Sequence, residues 1–314
     1  MSLLVACQGI KADAFADGLR ELQPDMDVRL WPDTGNTSDI RYALVWKPPQ
    51  DALKGLPNLE VMFSLGAGVD HVLCRADLPD VPLVRFVDPN LTMRMSEYVC
   101  LHVLLPHRRL PDYMDNQRAR KWDEFSPQPS AADLCVGVLG LGVLGMDSVE
   151  KLTSLGYDVA GWSRSKKDVP GIETYAGEGE IDLFLARTNI LVCLLPHTPD
   201  TDGMLNAELL SKLAKDGPLP GPVLINAGRG KIQVETDILA ALDKGDLWAA
   251  SLDVFEEEPL PETSPLWDHP RIVITPHNAS ISDDRAVCRY VLDQIGNYEK
   301  GKPLQNVVDT KRGY

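Results

Sequence analysis

The sequence predicts an α/β protein built from two doubly wound parallel sheets, one unit inserted within the other. Short apolar runs alternate with helical stretches along nearly the whole chain, the pattern of parallel strands joined by right-handed crossovers. A glycine string, Gly140-Leu141-Gly142-Val143-Leu144-Gly145, directly follows one of these runs. At 314 residues, 44% of them apolar, the chain is too long for one such unit and can bury the cores of two.

The first unit has predicted strands at 3–7, 28–31, 43–46, 61–65 and 83–87, each a short apolar run of the kind buried on both faces. A helical stretch over about 95–110 places Val99, Val103 and Leu104 on one face and contains Pro106, which should kink or end it. Ser126-Pro127-Gln128-Pro129-Ser130 reads as a loop into the second unit. That unit begins with a strand over 134–139, a helix over roughly 143–155 and a strand over 157–162. Further strands follow near 190–195, 223–226, 249–252 and 272–275. In a last amphipathic helix Val287, Val291, Leu292, Ile295 and Tyr298 recur at near-helical spacing. Too little chain is left for a third domain, so this helix is expected to return to the first unit. The predicted domains are 1–97 with 284–314, and 98–283.

The strand before the glycine string and the strand after it supply the βαβ setting that a dinucleotide fingerprint requires. Gly140 permits the tight turn, Gly142 lets backbone amides approach a pyrophosphate, and Gly145 lets the helix pack on its strand. The amides at Val143 and Leu144 then face the phosphates at the helix N-terminus. The second strand ends in Ser163-Arg164-Ser165-Lys166-Lys167, with no carboxylate before Asp168. An arginine among hydroxyls suits a ribose 2′-phosphate, so NADPH is the predicted cofactor and NAD the alternative. A solvated basic turn is the plain alternative.

A formal charge of −15 and a sequence pI near 4.8 argue against a nucleic-acid surface and against anionic membranes. No apolar stretch approaches the ~18 residues of a membrane span, and the N-terminus lacks a signal pattern. The six cysteines are scattered without a C-x-x-C pair and read as reduced core residues of a cytoplasmic protein.

Three charged residues have distinctive settings downstream. Arg229 follows an apolar strand in a glycine-flanked loop, where its planar fork can grip a carboxylate; a structural ion pair is the ordinary alternative. His277 follows a strand and Pro276, at a carboxyl end where ligands of open α/β sheets bind, and can give or take a proton. It could equally be a plain hydrogen-bonded histidine. Glu258 ends a run of three glutamates, whose bland reading is a solvated acidic loop; Glu256 and Glu257 are read as surface charges. Gly66-Ala67-Gly68-Val69 has little side-chain bulk, so its amides can form an anion-binding nest. Together with the dinucleotide fingerprint, these groups offer a hold on an anionic substrate and a proton donor.

The strings Asn226-Ala227-Gly228-Arg229-Gly230, Leu252-Asp253-Val254-Phe255-Glu256-Glu257-Glu258-Pro259-Leu260-Pro261 and Thr275-Pro276-His277 resemble, in order, the catalytic signatures of the D-2-hydroxyacid dehydrogenases. Within that family the chain most resembles the NADPH-dependent glyoxylate/hydroxypyruvate reductases of the A type. It does so through Tyr42-Ala43-Leu44-Val45-Trp46, Leu65-Gly66-Ala67-Gly68-Val69-Asp70, Trp162-Ser163-Arg164-Ser165, Ser264-Pro265-Leu266-Trp267 and Arg312-Gly313-Tyr314. The resemblance implies a Rossmann cofactor domain inserted in a flavodoxin-like substrate domain. It implies reduction of glyoxylate to glycolate and of hydroxypyruvate to D-glycerate, with His277 as acid and base, Glu258 beside it and Arg229 on the substrate carboxylate. It also implies that Trp46 walls the substrate pocket, although an ordinary core position suits Trp46 equally. By the same resemblance Asp253 holds the nicotinamide carboxamide, Leu195, Pro196 and Thr201 line the cofactor cleft with Ala227, Gly228 and Arg229, and the chain is a homodimer with contacts along the 95–110 stretch and near Trp122. Asn278 departs from the family, where an apolar residue commonly follows the histidine, and so does Pro106. A phosphoglycerate-type dehydrogenase, a formate- or phosphite-oxidising relative and a cofactor-sensing corepressor are the alternatives.

Overall fold

The computed structural model describes residues 2–310, so Arg312, Gly313 and Tyr314 lie outside the described residues. Two compact units are formed, one by residues 1–91 with 281–314 and the other by residues 92–280. The sequence reading divided the chain at 97/98 and 283/284.

In the first unit, strand β1 (Ser2–Cys7) leads to helix α1 (Ala12–Leu22), whose Phe15, Ala16 and Leu19 form its buried face. Strands β2 (Asp27–Leu30), β3 (Ile40–Trp46) and β4 (Val61–Ser64) follow, then the single turn α2 (Asp70–Leu73) and strand β5 (Leu83–Arg85). They pair in parallel in the order β2-β1-β3-β4-β5, the flavodoxin-like order that the fold expectation requires. Both faces of the sheet are covered, which is why β1 and β4 are buried almost throughout.

Helix α3 (Pro89–His107) starts earlier than the hydrophobic pattern suggests. Asp88 accepts hydrogen bonds from the amides of Asn90 and Leu91, and Pro89 occupies the first turn, where its missing N–H costs nothing. Pro106 lies in the last turn, and the helix ends one residue beyond it. Arg109 then adopts a left-handed conformation, and α4 (Leu110–Arg118) follows.

The second unit continues with β6 (Cys135–Leu139), α5 (Val143–Ser154), β7 (Asp158–Ser163), β8 (Glu173–Ala176), α6 (Gly177–Arg187) and β9 (Ile190–Cys193). After these come α7 (Ala207–Ser211), β10 (Val223–Asn226), α8 (Glu235–Lys244), β11 (Ala249–Leu252) and β12 (Ile272–Ile274). The seven strands are all parallel, in the order β12-β11-β10-β9-β6-β7-β8. From β6 the chain proceeds outward through β7 and β8, then returns to β9 on the other side of β6. The sheet therefore reverses between β6 and β9, and in open α/β sheets the crevice at such a switch point, beyond the strands' carboxyl ends, is where ligands bind. Helix α9 (Asp284–Tyr298), capped by Asp283 on the Ala286 amide, completes the first unit with Val287, Cys288, Val291 and Ile295 buried.

Candidate active site

In the second unit every predicted site residue lies at or just beyond the carboxyl end of a strand, or on the loop or helix that follows. Gly140 leaves β6 at φ +104, and a Cβ on Gly145 would stand 1.8 Å from the Gly140 carbonyl oxygen, so the turn and the helix α5 that follows it can close only on glycine. At Gly142, the N-cap of α5, an added Cβ would meet nothing within 4 Å. That leaves open space above the first amides of a twelve-residue helix, including those of Val143 and Leu144. Space, free amides and the positive end of the helix together fit a pyrophosphate.

The basic turn follows β7, the strand beside β6. Ser163 is buried and donates its hydroxyl to the Ser165 carbonyl, while Arg164 and Ser165 are exposed. Lys166 is engaged elsewhere: its ammonium bonds the Thr174 carbonyl and, at 3.1 Å, the Glu180 carboxylate. Lys167 instead reaches back to the carbonyl of Leu141 inside the fingerprint. The turn thus presents Arg164 and ties Lys167 to the phosphate-side loop. Beyond β9, Leu195 and Pro196 are followed by Thr201, whose hydroxyl bonds the Pro196 carbonyl at 2.8 Å and fixes that loop.

Arg229 stands after β10, its guanidinium bonded to the Gly228 carbonyl at 2.8 Å. The neighbouring Ala227 amide bonds the Cys193 carbonyl at the end of β9. Fully buried Asn226 shapes this loop: its side chain accepts the Gly228 amide and donates to the Gln233 side chain at 2.8 Å. Gln233, also buried, donates in turn to the Val254 carbonyl at 2.9 Å. A Cβ on Gly230 would lie 1.8 Å from the Phe255 carbonyl oxygen, so the Arg229 loop and the glutamate loop touch backbone to backbone.

In the glutamate loop, Glu258 Oε1 accepts the Phe255 amide, and the carboxylate meets His277 Nδ1 at 2.8 and 3.0 Å. Glu258 and His277 are brought together, as expected. Glu256 is more than a surface charge, because it and Glu235 each accept the other's backbone amide, at 3.1 and 2.9 Å, which ties the loop to the start of α8. His277 sits at φ +51, a left-handed conformation rare for a residue with a side chain. Its amide donates to the Asp253 carbonyl at 2.8 Å. Asp253, 1% exposed, accepts the Thr275 hydroxyl and the amides of Asn278 and Ala279. Burial pushes its carboxyl up from the usual range against those three hydrogen bonds. Thr275 and Gln233 escaped the sequence reading, since they bond residues distant in the chain.

In the first unit Trp46 ends β3, half-buried, with its ring 4.2 Å from that of His71 and resting on Gly66. It packs against the Gly66-Ala67-Gly68-Val69 segment, which lies between β4 and α2. The Phe86 amide bonds the Gly66 carbonyl, and Val69 is buried.

Residues 100–279 match the family described as D-isomer specific 2-hydroxyacid dehydrogenase, NAD binding domain. The chain is 40% identical over 306 residues, 96% of each protein, to glyoxylate/hydroxypyruvate reductase A of Escherichia fergusonii. Among solved structures it is 48% identical, with a TM-score of 0.94, to the NADPH-dependent glyoxylate/hydroxypyruvate reductase of Sinorhizobium meliloti in complex with NADP and sulfate. It is 46% identical, again with a TM-score of 0.94, to a probable 2-hydroxyacid dehydrogenase of Rhizobium etli in complex with NADP, HEPES and L(+)-tartaric acid. Each match covers 100% of this chain and 99% of the other. With strand order, fingerprint and the glutamate–histidine pair all in agreement, the chain belongs to the D-isomer specific 2-hydroxyacid dehydrogenase family.

Proposed function

We propose that the protein is an NADPH-dependent reductase of small 2-oxo acids, taking glyoxylate to glycolate and hydroxypyruvate to D-glycerate. The observation that carries this is the His277 Nδ1–Glu258 contact of 2.8 Å, beyond the carboxyl ends of a sheet that bears a dinucleotide fingerprint at its switch point. The relatives whose names specify glyoxylate and hydroxypyruvate support the substrate class. The NADP bound by the two solved relatives, together with the exposed Arg164 just beyond β7, supports the cofactor and leaves NADH as the poorer one.

With Nδ1 committed to Glu258, the His277 imidazole keeps Nε2 for the substrate. Glu258 holds the ring by its Nδ1, so Nε2 can deliver a proton to the keto oxygen during reduction and take it back in the reverse direction. Arg229 grips the carboxylate and polarises the adjacent carbonyl. In the first unit, the amides of Gly66 to Val69 offer an anion-binding nest beside Trp46. Asp253 orients the nicotinamide carboxamide. The reduced nicotinamide supplies hydride for the keto carbon. The chain acts as a homodimer in the cytoplasm, in keeping with six free cysteines.

Loss of NADPH absorbance near 340 nm on adding glyoxylate or hydroxypyruvate tests the reading. His277→Ala should lower kcat by roughly 10²–10⁴-fold with NADPH affinity kept. A wild-type rate no higher than that of Arg229→Ala would instead favour a cofactor-sensing scaffold.

A further inference from the structure

Tyr98 projects from α3 and is buried, with its hydroxyl 2.9 Å from Thr275 Oγ1. The Thr275 hydroxyl lies 2.6 Å from Asp253 Oδ1. A threonine hydroxyl has one proton, and with that proton on the carboxylate its oxygen can only accept, so the chain runs from Tyr98 through Thr275 to Asp253. Asp253 also receives the amides of Asn278 at 2.9 Å and Ala279 at 3.0 Å on its carboxylate, and that of His277 at 2.8 Å on its carbonyl. Three consecutive amides are therefore held by one residue. A left-handed histidine costs of order 1 kcal/mol and persists only where its surroundings over-determine it. His102, also buried, stacks on the Tyr98 ring at 3.9 Å and 28°, which fixes the start of the chain.

We propose that Tyr98 is a positioning residue for proton transfer: through Thr275 it fixes the Asp253 carboxylate, and thereby the backbone that aims the His277 imidazole at Glu258. The role rests on His277 being the acid and base proposed above. Without the tyrosine hydroxyl a buried acceptor on Thr275 goes unsatisfied and Asp253 loses a restraint, while no group that touches substrate is removed.

Tyr98→Phe keeps the stacked ring, Thr275→Val breaks the chain at nearly constant shape, and Thr275→Ser restores the hydroxyl. The measurements are kcat and KM for glyoxylate at saturating NADPH, and the Cε1–Hε1 NMR signal of His277 in the ligand-free protein, assigned with His277→Gln. Tyr98→Phe and Thr275→Val should lower kcat roughly fivefold or more with KM within about twofold, and should displace or broaden the His277 signal. Thr275→Ser should return both towards wild type. The proposal is overturned if Tyr98→Phe leaves kcat and the His277 signal unchanged, or if Thr275→Ser is as impaired as Thr275→Val. A wild-type protein inactive with both 2-oxo acids would remove the reductase reading instead, and the His277 signal in the same variants would then decide the positioning role alone.

Discussion

Arg164 and His102 show how much a single side chain can decide here. NADPH and NADH differ by one phosphate, and in the proposed function the Arg164 guanidinium, just beyond the end of β7, answers that difference with charge-assisted hydrogen bonds. Arg164→Ala should raise KM for NADPH roughly tenfold to hundredfold and leave that for NADH nearly unchanged; equal changes in steady-state assays would deny it a 2′-phosphate role. His102 is 3% exposed, its Nδ1 has no partner among the described residues, and burial holds its pKa down to about 4. As pH falls below 6.5 the unfolded chain takes up a proton that the folded chain refuses until about pH 4. Stability is therefore lost through that window, by about 2 kcal/mol at pH 5. His102→Phe keeps a ring against Tyr98 and removes the titration. Urea unfolding at pH 7 and pH 5 should show an acid loss smaller by that amount, and equal losses in both proteins would exclude His102 as the titrating group. At this scale the candidate residues Arg229, Glu258 and His277 were legible because each sits in a short contiguous string. Tyr98, Thr275 and Gln233 were not, because nothing local in the sequence marks a hydrogen bond to a residue 177, 22 or 21 positions away.

Among elements, the Arg229 loop and the glutamate loop owe their contact to Gly230. Gly230→Ala should force the two backbones apart, costing about 3 kcal/mol and displacing Arg229. Thermal melting and kcat/KM should fall together, whereas a variant with wild-type melting and activity would show that the contact yields freely. The strands of both sheets were legible as short apolar runs, apart from β8, whose Glu173-Thr174-Tyr175-Ala176 forms the outermost strand and carries no apolar pattern. The start of α3 was misread, whereas Pro106, expected to kink or end the helix, lies in its last turn. Its start is marked by capping chemistry at Asp88 and Pro89, and its end by Pro106 and the left-handed Arg109, whereas the apolar periodicity spans only the middle. Helix α4 carries Pro111 in its first turn and few apolar residues, and nothing in the sequence reading marked it.

The whole molecule combines two strand orders that are each familiar for a parallel sheet with covered faces; alternation, fingerprint and chain length pointed to two doubly wound units, and the family resemblance to their flavodoxin-like and Rossmann types. Oligomeric state lies beyond such patterns, but α3, α4 and the segment after them leave Met93, Leu101, Leu110, Met114 and the 95% exposed Trp122 uncovered. Covering them against a second copy is the reason to expect a dimer of twice the 34.6 kDa chain in light scattering. Leu101→Glu with Met114→Glu should shift that mass to monomer, and a wild-type protein that is monomeric from the outset would refute the expectation. The first unit has a further property, arising from where its pieces lie along the chain. Its last helix, α9, buries Cys288 against Phe15 and Gly18 of α1, so two segments separated by the entire second unit must meet. On the ribosome, where residues emerge in order, the inserted unit can fold as soon as residue 280 is clear. The first ninety residues must meanwhile wait with an apolar helix face uncovered, so for that interval the surface open to misassociation lies at the beginning of the nascent protein rather than at its end.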